Sequence, residues 1–297
     1  MSTMQSASST EATGFKGWVI RHPLIAYFVL AYALTWVFVI PILLSQRGLN
    51  LVTLPDELLL ILFLVSTFSG PTPAALIVTR LTEGKEGVSK LLKGMLQWRV
   101  GFQWILIALI GYPVIFLIGL LVTLGTGPLM TLLGNPLVLL TGYLPAALIG
   151  IIYPSLGEEP GWRGFALPRL QKDRGPLAGS LILGTLHALW HLPAYGIVGA
   201  ISETGWDTTV FVANSLAIIA STFIWTWLFN SGKGSILFAM FVHGVSNANS
   251  ALIGGLVPEG APDAPFFAFG VMAAAAALVI AITRGNLAYK PVNELIG

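Results

Sequence analysis

The chain alternates long apolar runs with short polar loops, and eight of the runs have the length of a membrane-spanning helix. Such a helix needs about 20 predominantly apolar residues. The runs cover residues 24–45, 57–79, 102–124, 137–156, 177–200, 208–229, 235–256 and 264–283. They are continuous rather than alternating at every second residue, which favours helices over the strands of a barrel. The pattern therefore predicts an all-α polytopic membrane protein, a bundle of about eight transmembrane helices.

The positions of the basic residues support a count of eight. Lys and Arg accumulate in the cytoplasmic loops of membrane proteins. With eight spans, every one of the 15 Lys and Arg residues except Arg47 falls in a segment on the same side of the membrane. This distribution predicts that the N and C termini are both cytoplasmic.

Composition limits the class of protein and the chemistry open to it. Hydrophobic residues make up 55% of the chain and charged residues 9%, whereas a soluble domain carries about 25% charged residues. The absence of cysteine excludes disulfides and thiolate catalysis. The net charge of +2 gives no reason to expect a nucleic-acid partner. We expect a disordered N-terminal tail over residues 1–20 and a single integral-membrane domain over residues 21–290.

Three clusters of polar residues lie within or beside the apolar runs. They are Glu158, Glu159 and Arg163 at the end of the fourth run, His187 and His191 in the fifth, and His243 and Asn247 in the seventh. An ionisable side chain costs about 2.5–3.5 kcal/mol in a membrane helix on insertion scales, and it usually faces the interior of the bundle. Residues four apart share one face of a helix. Three helices can therefore each offer a polar pair to one interior point, although Pro160 makes this geometry less secure for the first pair.

These residue types together suit hydrolysis. A carboxylate in apolar surroundings is a good general base for water, which suggests that role for Glu158. Glu158, His191 and His243 also match the two-imidazole, one-carboxylate set that binds Zn²⁺ or another divalent metal and leaves a position for water. His187 is either a further ligand or a residue that orients His191. Asn247 can donate a hydrogen bond to a developing oxyanion.

Each cluster also has a purely structural interpretation. A single intramembrane histidine is often a hydrogen-bonding packing residue, and the acidic pair with Arg163 could form an interfacial salt bridge. The occurrence of three such clusters in a chain with 9% charged residues favours a shared site.

The three clusters follow one another along the chain as Glu-Glu-x-x-x-Arg, His-x-x-x-His and His-x-x-x-Asn. These motifs and their order resemble those of the CPBP family of intramembrane proteases. The family includes the Rce1-type CAAX prenyl endopeptidases and the bacterial Abi proteins. The segment 70–109 also resembles the one that precedes the first motif in bacterial members, so the similarity covers residues 60–255. The resemblance implies an eight-span fold in a bacterial plasma membrane, and the basic loops put the site near the cytoplasmic leaflet.

The resemblance also implies roles for individual residues. Glu158 matches the catalytic glutamate, Glu159 and Arg163 its supporting pair, His191 the histidine of the second motif, and His243 and Asn247 the third motif. His187 is a departure, because the second motif usually begins with an aromatic residue. The family's mechanism is described either as a glutamate-activated water or as a metalloprotease, and the residues suit both.

The leading hypothesis is an intramembrane endopeptidase in the lipid bilayer that acts on membrane-associated peptides or proteins. Prenylated CAAX-type substrates are implied by the resemblance alone. One alternative is a non-catalytic immunity or regulatory adaptor of the Abi type. Another is an ion-coupled transporter, which the absence of a clear internal repeat disfavours. The pattern predicts no nucleic-acid partner and leaves the oligomeric state open.

Overall fold

The structure is a computed structural model that describes residues 14–201, 205–258 and 264–290. Within these ranges every regular element longer than one residue is a helix, which confirms the all-α prediction. In chain order the α-helices are α1 (Gly14–Arg21), α2 (Pro23–Leu44), α3 (Asp56–Ser69), α4 (Pro71–Thr82), α5 (Gly84–Gly94), α6 (Phe102–Leu124), α7 (Gly127–Gly134), α8 (Leu144–Gly150), α9 (Ser155–Gly161), α10 (Leu167–Trp190), α11 (Thr208–Ser231), α12 (Ile236–Gly254) and α13 (Phe267–Ile282). Short π-helices (Leu139–Tyr143 and Trp162–Ala166) and a 3₁₀-helix (Leu192–Gly196) complete the described elements.

Several of these helices can cross a membrane. By length and composition, α2, α6, α11 and α12 each qualify. Two bent pairs, α3 with α4 at 41° and α7 with residues 139–150 at 79°, bring the number to as many as six. The remaining predicted spans coincide with the second part of α10 and with the 16-residue helix α13. The count of eight and the cytoplasmic termini stay predictions.

Two predicted spans differ from the helices at their ends. The run 137–156 contains a π-helix, α8 and a turn, so the two glutamates lie on the separate helix α9. The run 177–200 is α-helical only to Trp190 and continues as a 3₁₀-helix that has a proline in its first turn. Because Pro193 has no N–H to donate to the carbonyl four residues earlier, an α-helix is disfavoured there. His191 therefore caps the end of α10 instead of lying in its interior.

The expected disordered tail over residues 1–20 does not hold for residues 14–20. These residues form most of α1, and Val19 is buried against the cluster of apolar side chains that surrounds α2 and α4. Burial of this side chain stabilises the short helix, an effect that hydropathy alone did not indicate. Residues 1–13 lie outside the described residues.

Close contacts between backbones bring the motif helices together. Gly244 on α12 faces Ala147 and Gly150 on α8 so closely that a Cβ on either glycine would meet the backbone of the other helix. Gly157 and Gly161 on α9 approach the carbonyl oxygens of residues 67 and 71 in the same way. Small residues commonly permit such close helix crossings in membrane proteins. The glycines thus allow α9 and α12 to carry their polar side chains into one interior space.

The apolar core consists of two main clusters with the polar residues between them. The first cluster is built around α6, α11, α12 and α13, and it includes Trp225. The second is built around α2, α4 and α10, and it includes Trp162. Trp225 packs beside His243 with ring centroids 5.0 Å apart, and Trp162 packs beside His187 with centroids 5.1 Å apart. Trp225 therefore lines the candidate site directly, and Trp162 packs against His187, which lines it.

Candidate active site

Glu158 lies on α9 with one of its carboxylate oxygens held by two neighbours. The side chain is buried, with 4% of its surface exposed. Its Oε2 is 3.3 Å from Nε1 of Trp162 and 3.1 Å from Nε2 of His187. An ionised carboxylate only accepts hydrogen bonds, so both nitrogens donate to it. Among the described residues, no side chain or backbone N–H donates to the other oxygen, Oε1, and the residue lines an open cavity.

Glu159 is part of a buried ionic group behind this cavity. Its Oε1 accepts from Nη1 of Arg163 at 2.9 Å and from Nδ1 of His243 at 2.8 Å. Glu159 and Arg163 are at most 1% exposed, and the guanidinium carbon stacks 4.5 Å from the ring centre of Trp225. Pro160 does not interrupt the chain here, because α9 continues into the π-helix over Trp162–Ala166. The i, i+4 spacing of the pair is therefore kept in the folded chain.

His191 and His243 each have Nδ1 engaged in a hydrogen bond. Nδ1 of His191 donates to the carbonyl oxygen of His187 at 3.0 Å, and Nδ1 of His243 is engaged by Glu159. In a neutral imidazole with a protonated Nδ1, Nε2 carries a lone pair. Both His191 and His243 line the cavity. Each can therefore accept a hydrogen bond from a bound water or substrate group.

Asn247 lies one helical turn beyond His243 on α12. The side chain of Asn247 is exposed, whereas that of His243 is buried, and both line the same cavity. An amide in this position can turn its N–H toward a substrate carbonyl.

A cavity of about 300 Å³ brings the candidate residues together. Of the sequence-predicted residues, it is lined by Glu158, Arg163, His187, His191, His243 and Asn247, whereas Glu159 lies behind it. Phe116, Ile218 and Met272 contribute apolar surface from three other helices. The space therefore offers both polar groups and apolar walls to a bound molecule. The chemical roles of the residues stay predictions.

Some lining residues were not found from the sequence. Ser246 and Ser250 line the cavity beside His243 and Asn247 on α12. Together these four residues follow the i, i+3, i+4, i+7 spacing of one helix face, a signal that was available. Trp162 was not singled out, because its contact with Glu158 depends on the helix continuing past Pro160. No local sequence pattern predicts that the helix continues past Pro160.

Among the described residues, the predicted ligand side chains are not gathered into a metal-binding group. His191 Nε2, His243 Nε2 and Glu158 Oε1 are chemically suitable zinc donors. Among the described residues, however, no three His, Asp or Glu side chains converge closely enough to hold an ion. The nearest carboxylate contact of His243 is Glu159, and that of His187 is the oxygen already shared with Trp162. The described geometry therefore does not gather the predicted ligand set around one point, and a bound metal stays a prediction.

Comparison with known proteins agrees with the motif resemblance. Residues 140–249 match the family model described as "Type II CAAX prenyl endopeptidase Rce1-like". CAAX prenyl protease 2 from Methanococcus maripaludis is 28% identical over 98 residues, which is 32% of this chain and 36% of the relative. The chain thus matches about a third of the length of this curated relative. The apolar helices and the family match together identify an integral membrane protein.

The family match spans the part of the chain that contains every candidate residue. Glu158 and Asn247, the first and last of them, both fall within residues 140–249. The part of the chain that carries the candidate residues is therefore similar to the Rce1-like family of CAAX prenyl endopeptidases.

Proposed function

We propose that the protein is an intramembrane endopeptidase that hydrolyses peptide bonds of membrane-associated substrates. The observation that supports it most directly is the cavity shared by Glu158, His191, His243 and Asn247. A base can activate water for attack on a carbonyl, imidazoles can orient that water, and an amide can stabilise the resulting oxyanion.

Glu158 activates the water. Its Oε1 takes one proton from a water molecule in the cavity, and the water oxygen then attacks the carbonyl carbon of the scissile bond. Nε2 of His191 or His243 accepts a hydrogen bond from the second O–H of the same water and orients it. The carboxylic acid then passes its proton to the departing amine nitrogen, and the base is regenerated.

Asn247 stabilises the transition state. Attack on the carbonyl places a negative charge on its oxygen, and a preorganised amide N–H lowers the energy of that charge. Glu159 and Arg163 act differently, because their contacts are with His243 and with each other. Their part is to hold His243 in one orientation and to keep the buried charges balanced.

The relative and the cavity both support a proposed substrate class. The relative is named CAAX prenyl protease 2, and on that similarity we extend the proposal to prenylated CAAX-type tails. Phe116, Ile218 and Met272 provide apolar lining for such a chain. The basic loops support a site near the cytoplasmic leaflet, and the bacterial Abi resemblance supports a bacterial plasma membrane.

The test is cleavage of a panel of membrane peptides, prenylated and unprenylated, by the protein purified in detergent. We expect a defined cleavage product, with one ¹⁸O atom at its new C terminus when the reaction runs in H₂¹⁸O. No product from any peptide would reject the proposal. A non-catalytic adaptor predicts no product and full function of Glu158→Gln in cells, and an ion-coupled transporter predicts ion flux into proteoliposomes without cleavage.

A further inference from the structure

The two hydrogen bonds to Glu158 converge on a single oxygen. Trp162 Nε1 and His187 Nε2 both reach Oε2, at 3.3 Å and 3.1 Å. We propose that Trp162 and His187 are positioning residues, a two-donor clamp that leaves Oε1 of Glu158 as the only oxygen that can take a proton from water. This inference rests on the proposed function and assigns a role to the residue that departs from the family motif.

The clamp requires one particular tautomer of His187. Its Nε2 must carry the proton, because the carboxylate oxygen it contacts is an acceptor. Its Nδ1 is buried and has no hydrogen-bond partner among the described residues. A proton on that nitrogen would be a buried donor without an acceptor, which is costly. The surroundings therefore favour a neutral ring with the proton on Nε2.

Packing holds both donors in place. Trp162 follows Glu158 by one helical turn and is fully buried, with Tyr27 packed edge-on against it at a centroid distance of 5.8 Å. The ring of His187 lies 5.1 Å from that of Trp162 and tilted by 36°. Tight packing of this kind restricts the indole and imidazole to one rotamer. The carboxylate between them loses its freedom to rotate, and preorganisation of this kind lowers the barrier for proton transfer.

The clamp excludes another role for His187. A metal ligand must offer a nitrogen lone pair, whereas the clamp uses a protonated Nε2. Nδ1 is unpartnered but buried among protein atoms. The same ring nitrogen cannot both donate to Glu158 and ligate an ion, so the two roles make opposite predictions for its protonation.

Two substitutions separate the hydrogen bond from the shape of the side chain. His187→Phe keeps a ring but removes the donor, and His187→Gln keeps an N–H at about the position of Nε2. We expect His187→Phe to lower kcat by about 10–100-fold with little change in KM, since Oε2 does not face the substrate. His187→Gln should recover most of kcat. Equal kcat for wild type and His187→Phe, or equal loss in both variants at normal thermal stability, would overturn the clamp.

A second measurement does not depend on activity. The protein is labelled with ¹⁵N-histidine, and the resonances of His187 are assigned by their disappearance in His187→Gln. We expect a neutral ring protonated at Nε2, and a change in that resonance in Glu158→Gln. A ring protonated at Nδ1 alone would overturn the clamp even if peptide cleavage is normal. If no peptide is cleaved but the tautomer is as expected, the clamp stands and the endopeptidase proposal fails.

Discussion

Nδ1 of His243 lies 2.8 Å from Oε1 of Glu159, and this contact joins α12 to α9 across 84 residues of sequence. The same oxygen accepts from Arg163, so one carboxylate organises a histidine and an arginine at once. Because Nδ1 is engaged, Nε2 of His243 is the nitrogen left for the cavity. The neighbouring glutamates thus have different tasks: Glu158 lines the cavity, and Glu159 holds His243.

Removal of the charge of Glu159 should destabilise the fold. In Glu159→Gln, the fully buried Arg163 loses its ionic partner, and an uncompensated buried charge costs about 3–5 kcal/mol. We expect a clear fall in the thermal unfolding temperature in detergent, measured by intrinsic fluorescence. Glu158→Gln is the matched variant and should unfold close to wild type, because its oxygen keeps its donors. Equal stability of all three proteins would contradict the different tasks assigned to the two glutamates.

Asn247 should affect the rate of cleavage more than stability. Loss of one oxyanion donor typically lowers kcat by about 10²–10³-fold. We expect Asn247→Ala to show a loss of this order with unchanged thermal stability, because the side chain is exposed toward the cavity. Ser250→Ala, on the same helix and in the same cavity, is the control and should retain most activity. A wild-type kcat for Asn247→Ala would remove the amide from the mechanism.

The crossing of α8 and α12 should not tolerate a methyl group. A Cβ at Gly244 would overlap the carbonyl oxygen of Ala147, and overpacking typically costs about 1–3 kcal/mol. We expect Gly244→Ala to lower both thermal stability and cleavage, since it displaces the neighbouring His243. Gly111→Ala on α6 is the control, because a Cβ there meets no atom within 4 Å. If the two variants behave alike, the close crossing is not what positions His243.

Metal removal should leave the reaction intact. Among the described residues, no three suitable side chains converge on one point. We therefore expect dialysis against a chelator to leave the cleavage rate unchanged, and metal analysis of the same sample to find less than one ion per chain. Loss of cleavage that Zn²⁺ restores would show that Glu158, His191 and His243 move together into a ligand set.

Helix positions and the i, i+4 polar pairs could be predicted from hydropathy and spacing. These signals are local, and His243 and Asn247 lie on one face of α12 as their spacing requires. The separation of α9 from the fourth apolar run could not be predicted in the same way. Residues 151–154 are as apolar as a membrane helix, yet they form a turn that ends in Pro154. Tertiary contacts of α9 with α3 and α4 decide that geometry.

The hydrogen-bond partners of the site histidines could not be predicted from the sequence either. Spacing paired His187 with His191, and their ring centroids do lie 5.1 Å apart. Spacing did not indicate that His187 also contacts Glu158 across 29 residues. His243 was predicted to join Glu158 and His191 in a metal-ligand set, whereas its Nδ1 contacts Glu159. Which residues meet between two helices depends on how far each helix is rotated about its axis. Sequence periodicity does not fix that rotation accurately enough to choose the partner of a given residue.

The most direct test of the account is the initial rate at which Glu158→Gln cleaves a membrane peptide that wild type cleaves. General-base catalysis typically contributes about 10²–10⁴-fold, so a loss in that range is expected at unchanged thermal stability. Glu57→Gln removes an exposed carboxylate at the start of α3 and should cleave at the wild-type rate. Cleavage by Glu158→Gln at the rate of Glu57→Gln would show that this glutamate is not the base.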